Sequence, residues 1–338
     1  MSRIALTFAL ALLCACGKNQ SPAIAKDPFA PPLGLDGPAL IVDASDPITE
    51  EKVALGRILF FDPRLSATSK MSCATCHPPE KSWVDGEALS AKFDGTKNTR
   101  NTPSVMNVGY LEKLYWDGRA PTLEKNIVAA WKNQMGGKPD EVAKSLQAVP
   151  AYQAMFKKAF AAPASEDTIG RALGAFLRTL RTGNSAFDRF ITRQEPTALT
   201  ADQQAGFALY NGKAGCVVCH QPSLFTDRGF HNAGIGMDAA KPDPGAGGEK
   251  ARNDAKFIGA FKTPTLRNVS RTAPYFHDGS VASLREAVKL MASGGKDNPN
   301  KDPLLLDRKL SDQEIDQLVL FLQSLDGTDA FTRPSVPQ

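Results

Sequence analysis

Two five-residue groups in this chain have the residue types and spacing for one particular chemistry. Cys73-Ala74-Thr75-Cys76-His77 and Cys216-Val217-Val218-Cys219-His220 each set two thiols three positions apart, with a histidine directly after the second. Thiols so placed add to the two vinyl groups of a haem, and the adjacent histidine gives an axial nitrogen to the iron. A zinc site would want a second Cys or His pair for each motif, and none is left over. A thioredoxin-like dithiol needs no following histidine and prefers a βαβ setting, which the sequence lacks. With 6 cysteines and 4 histidines in 338 residues, two chance occurrences of the pattern are improbable. The motifs therefore predict two covalently bound c-type haems, attached through Cys73, Cys76, Cys216 and Cys219, with His77 and His220 on the irons.

The sixth position on each iron decides what it can do. A filled position suits electron transfer, and an open one can do chemistry. A long internal repeat bears on this. Thr102-Pro103-Ser104-Val105-Met106-Asn107-Val108 matches Thr263-Pro264-Thr265-Leu266-Arg267-Asn268-Val269, and Tyr115-Trp116-Asp117-Gly118 matches Phe276-His277-Asp278-Gly279, at a constant offset of 161 residues. Met291 follows the second copy, and the same offset puts Ala130 in its place in the first. Two readings of Met291 stand here. It is an axial thioether that the first haem lacks, or a core methionine at helical spacing.

These motifs need elements to hold them. Helical patterns are clearest at 141–160, 167–190, 200–211, 281–292 and 311–325, and Thr49 is placed to cap a helix over Lys52, Val53, Leu55, Ile58 and Leu59. In 167–190 the stripe of Ile169, Leu173, Phe176, Leu177 and Leu180 reads as core packing. The expected fold is mainly α, two tandem cytochrome c-like haem domains with long loops that pack on the apolar haem. The stretch 234–255, rich in glycine, reads as the loosest.

The net charge of +4 is small for this length and argues against a nucleic-acid partner. The N-terminus has one charge at Arg3 and then an apolar run from Ile4 to Leu13, the pattern of a signal peptide and too short to span a bilayer. It ends in Leu13-Cys14-Ala15-Cys16-Gly17, which resembles a bacterial lipobox and implies cleavage before Cys16 and acylation there. The expected organisation is a signal peptide over 1–15, a lipid anchor and flexible tether over 16–45, a first haem domain over 46–193 and a second over 194–330. The lipid would hold the protein on a membrane face, in the periplasm or on the outer surface of a bacterial membrane.

The residues also carry a family resemblance, covering about 46 to 326. Leu55-Gly56-Arg57, Phe60-Phe61-Asp62-Pro63-Arg64-Leu65-Ser66 and the first haem motif open it. Arg100-Asn101-Thr102-Pro103-Ser104 and Tyr115-Trp116-Asp117-Gly118-Arg119-Ala120 continue it, and Thr263 to Val269 with Thr272-Ala273-Pro274-Tyr275-Phe276-His277-Asp278-Gly279-Ser280 close it. Together they resemble the bacterial di-haem cytochrome c peroxidases, a family that includes MauG-type enzymes. The resemblance implies Met291 as axial ligand of an electron-transfer haem, Trp116 as the tryptophan between the haems and His277 beside the propionates. It also implies calcium held by Asn101, Thr272 and Pro274.

Three departures accompany it. Some members carry a distal histidine where this chain has Phe93, so the first haem is expected to be open without reductive activation. The family's distal glutamate before a methionine is replaced in Asn133-Gln134-Met135, so Gln134 stands where a proton carrier is usual. The usual distal glutamine is Asn126, and Glu124 is the nearest carboxylate in sequence. The implied activity is reduction of hydrogen peroxide to water, with electrons from a small redox protein, a monohaem cytochrome c or a cupredoxin. The alternatives are a MauG-like oxidase of a partner protein, although MauG has a tyrosine where Met291 stands, and a di-haem electron shuttle. Family members often form homodimers.

Overall fold

A computed structural model describes residues 29–249, 254–327 and 331–338. The expected signal peptide and Cys16 lie outside the described residues. From Pro31 onward the chain packs as one unit. Ten α-helices occur among the described residues: α1 (Glu50–Phe60), α2 (Cys73–Cys76), α3 (Leu123–Gln134), α4 (Pro139–Gln147), α5 (Pro150–Phe160), α6 (Glu166–Thr179), α7 (Ala186–Ile191), α8 (Ala201–Asn211), α9 (Leu284–Ala292) and α10 (Asp312–Gln323). Two short antiparallel strands, β1 (Phe230–His231) and β2 (Phe261–Lys262), form the one small sheet among them. The predominantly helical fold agrees with the sequence reading. Local chemistry sets the ends: Thr49, Thr122 and Ser283 each accept from a backbone N–H of the first turn with a side-chain oxygen, as N-caps do.

The same crossing occurs twice. Helices α1 and α6 touch at Gly56, where a Cβ would stand 1.8 Å from the Ala172 carbonyl oxygen. Helices α8 and α10 touch at Gly206, where a Cβ would stand 2.0 Å from the Gln317 carbonyl oxygen. Glycine inside a helix costs about 1 kcal/mol relative to alanine, and here it lets two backbones approach. Around the first crossing pack Leu55, Leu59, Phe60, Trp131 and Phe176, and around the second Phe187, Tyr210, Phe225, Phe321 and Leu322. The repeat is visible in the loops too. Asn107 and Asn268 are both left-handed at φ 59°, each ahead of a single tight turn, and the bridges Leu114↔Ala120 and Tyr275↔Val281 match residue for residue.

Two features differ from the sequence reading. The segment read as a flexible tether is fixed from about Leu33. Asn184 donates to the Leu33 carbonyl, Arg267 to that of Gly34 and Arg178 to that of Ile41, while Leu35 is fully buried with Tyr110 and Leu224. Backbone carbonyls supply the anchors, so the polar, proline-rich sequence carries little sign of them. The chain also changes cores before residue 193, since Phe187 of α7 already packs in the second. At the other end, Phe331 returns to the first core, stacking on Phe61 and meeting Trp83 edge-on. Within the glycine-rich stretch, Asp243 grips Arg100 with both carboxylate oxygens.

Candidate haem sites and the seam between them

Each Cys-x-x-Cys-His opens into its own cavity. The first, about 250 Å³, is lined by Cys73, Cys76 and His77. The second, about 340 Å³, is lined by Cys216, Cys219 and His220. His77 Nδ1 lies 2.9 Å from the Trp83 carbonyl oxygen and His220 Nδ1 lies 3.0 Å from that of Phe225. Trp83 and Phe225 are both left-handed, which turns these carbonyls inward. A ring that donates from Nδ1 keeps Nε2 free for iron. Burial pushes both histidines below their usual pKa, so each is neutral and able to ligate. Burial also pushes the Cys73 thiol up to about 12 and the Cys76 and Cys216 thiols up to about 11. Such thiols are poor thiolates, unlike those of a redox dithiol. The donor set and apolar walls fit haem c.

The opposite walls differ. In the first cavity α3 turns Asn126, Ala130 and Gln134 inward at helical spacing. In the second, α9 brings Met291 to the wall. Ala130 therefore stands in the first cavity where Met291 stands in the second. His77 is the one histidine lining the first cavity among the described residues, and Phe93 packs instead against Gly136, donating its N–H to the Gln134 carbonyl. Gln134 Oε1 is buried without a hydrogen-bond partner. Glu124 is ion-paired with Arg178 and does not line the cavity, which removes it as a proton carrier there.

Trp116 lines both cavities, and its indole N–H donates to the Asn101 carbonyl at 2.9 Å. His277 is buried in the second cavity, stacked on Phe261 with ring centroids 3.7 Å apart. Asn101, Thr272 and Pro274 all reach the second cavity's wall, and the Asn101 backbone N–H donates to the His277 carbonyl at 2.6 Å. Sequence reasoning missed a knot of charge at this seam, where Arg100 pairs with Asp117 and with Asp243. It also missed Lys262, the repeat counterpart of Asn101. The position directly before each Thr-Pro pair was the available signal. Cys219, Asp227 and His231 form one group of three metal donors, but a thioether at Cys219 removes it from metal binding. His231 is then held between Asp227 and Asp302.

Two helical units, each with one such motif, define a tandem c-type cytochrome. The family model for di-haem cytochrome c peroxidase matches residues 50–196, and that for cytochrome c matches 203–326. The methylamine utilization protein MauG of Methylorubrum extorquens is 39% identical over 301 residues, spanning 87% of this chain and 83% of its own. The cytochrome c551 peroxidase of Pseudomonas aeruginosa is 32% identical over 294 residues, 83% of this chain and 80% of its own. A solved MauG-like protein associated with microbial copper homeostasis superposes with a TM-score of 0.79 at 31% identity, covering 88% of this chain and 94% of that one. The chain belongs to the di-haem cytochrome c peroxidase and MauG family. It is an oxidoreductase of tandem cytochrome c-type domains with covalently bound haem c.

Proposed function

We propose that this protein reduces hydrogen peroxide to water at the first haem, one peroxide consuming two electrons and two protons to give two waters. A small redox protein, a monohaem cytochrome c or a cupredoxin, supplies the electrons at the second haem. One observation carries the reading: Ala130 stands in the first cavity at the position that Met291 holds in the second. Bound haem supplies an iron that takes peroxide on an open side and relays electrons where both sides are filled. The chain's own residues do the rest. His77 and His220 would hold the two irons, Met291 would give the second a further ligand, and Trp116 would stand between the two groups. Asn126 and Gln134 offer hydrogen bonds to peroxide.

Electron paramagnetic resonance of the oxidised protein tests the asymmetry. One high-spin and one low-spin ferric signal are expected, and two low-spin signals overturn it. A MauG-like oxidation of a partner protein is the second reading. It is favoured by Gln134, which cannot move a proton between peroxide oxygens as a carboxyl can. Rapid steady-state peroxide consumption with reduced cytochrome c decides for the first reading; its absence sinks it. We further propose acylation at Cys16, export to the periplasm, and calcium bound by the Asn101 side-chain oxygen with the Thr272 and Pro274 carbonyls, checked by mass spectrometry and metal analysis of the purified protein.

A further inference from the structure

Lys262 is out of keeping with the other cations around it. It sits on β2, its backbone N–H donates to the Trp116 carbonyl at 2.7 Å, and the residue lines both cavities. Arg100 nearby is matched to Asp117 and Asp243, and the deeply buried Arg267 to Asp188. Among the described residues no carboxylate lies within ion-pair distance of Lys262, and its repeat counterpart Asn101 spends its amide on the Glu87 and Ala88 carbonyls. Lys262 is half-buried, and that burial alone pushes its ammonium down to about 8. A cation taken out of water without a counter-charge is costly, so buried charges come in pairs. The missing anion has to arrive with something that fills the cavities, and each haem carries two propionate carboxylates.

We propose that Lys262 is a cationic anchor shared by the propionates of both haems where they meet at the seam. This rests on the di-haem reading. One ammonium between the two groups fixes their edges beside Trp116. Its charge also favours the extra electron of the reduced state at both irons.

The test is spectroelectrochemical titration of the haem-loaded full chain as wild type, Lys262→Met and Lys262→Arg, with haem counted by pyridine haemochrome. Loss of the cation is expected to weaken reduction of both haems by about tenfold, about 59 mV for a one-electron couple, and Lys262→Arg to recover most of the shift. Unchanged potentials in a fully loaded Lys262→Met protein overturn the proposal, and a shift at one haem alone overturns the sharing. Where Lys262→Met does not load, Lys262→Gln is titrated instead. Failure of both to load while Lys262→Arg loads supports the anchor, and failure of all three overturns it. The propionate bending bands in resonance Raman spectra should move in Lys262→Met or Lys262→Gln and hold in Lys262→Arg. A wild type carrying fewer than two haems would defeat the di-haem reading instead.

Discussion

At the scale of single residues, the haem-binding groups were legible because their chemistry is local: two thiols and an imidazole must lie within five positions. The role proposed for Trp116 came only from the family resemblance; the residue lines both cavities. In Trp116→Phe, transfer between the haems should slow by an order of magnitude or more while peroxide binding to the first stays unchanged; stopped-flow spectra separate the two. Unaltered turnover would take Trp116 off the route. Gln134 offers a gain instead of a loss. Its side-chain oxygen is buried and unpartnered, and general acid–base catalysis is worth about 10²–10⁴-fold. Gln134→Glu should raise kcat/KM for peroxide by about a hundredfold, measured with reduced cytochrome c. The repeat marked the position of Lys262, directly before its Thr-Pro pair, but not its lack of an ion-pair partner, which is a property of three dimensions.

At the scale of elements, α8, α9 and α10 were legible because 3.6-residue periodicity and capping residues are written in the chain. By contrast, 141–160 is two helices broken before Pro150, 167–190 is α6 and α7, and α3 was not anticipated. The crossings at Gly56 and Gly206 were not legible, since a close approach needs both partners known. Gly206→Ala presses a methyl on the Gln317 carbonyl and should destabilise the protein by about 1–3 kcal/mol, the usual cost of overpacking, seen as a lower Tm. Carbonyl contacts hold residues 33–41 of the segment read as a tether, and ion pairs hold Asp46 directly after it. Asp46 bonds Arg171 and Lys52, and Arg171 foremost holds its carboxyl at about 2 in place of 3.8. A carboxylate with a depressed folded-state pKa contributes stability that is complete above its ordinary value and fades as pH falls toward the folded one. Asp46→Asn should therefore be less stable than wild type near neutral pH. The difference should close as pH drops from about 3.8 toward 2, which acid unfolding followed by circular dichroism will show.

At the scale of the molecule, the two halves are related by repeat yet joined by contacts that belong to neither. Arg267 and Asp188, each 1% exposed, pair in the second half while Arg267 also binds the Gly34 carbonyl. Asp188→Asn leaves that guanidinium buried and unpaired, and should cost about 3–5 kcal/mol, read as a lower midpoint of denaturant unfolding. The tail makes the longest tie. Arg57 donates to the Thr332 carbonyl, Arg333 pairs with Glu80, and Phe331 packs on Trp83, whose carbonyl faces His77. Contacts between residues so distant in sequence form late, because loop closure precedes them. The aromatic lid behind the first haem thus comes from chain that lies beyond the whole second haem unit in sequence. The first half cannot reach its finished packing until that segment has been made.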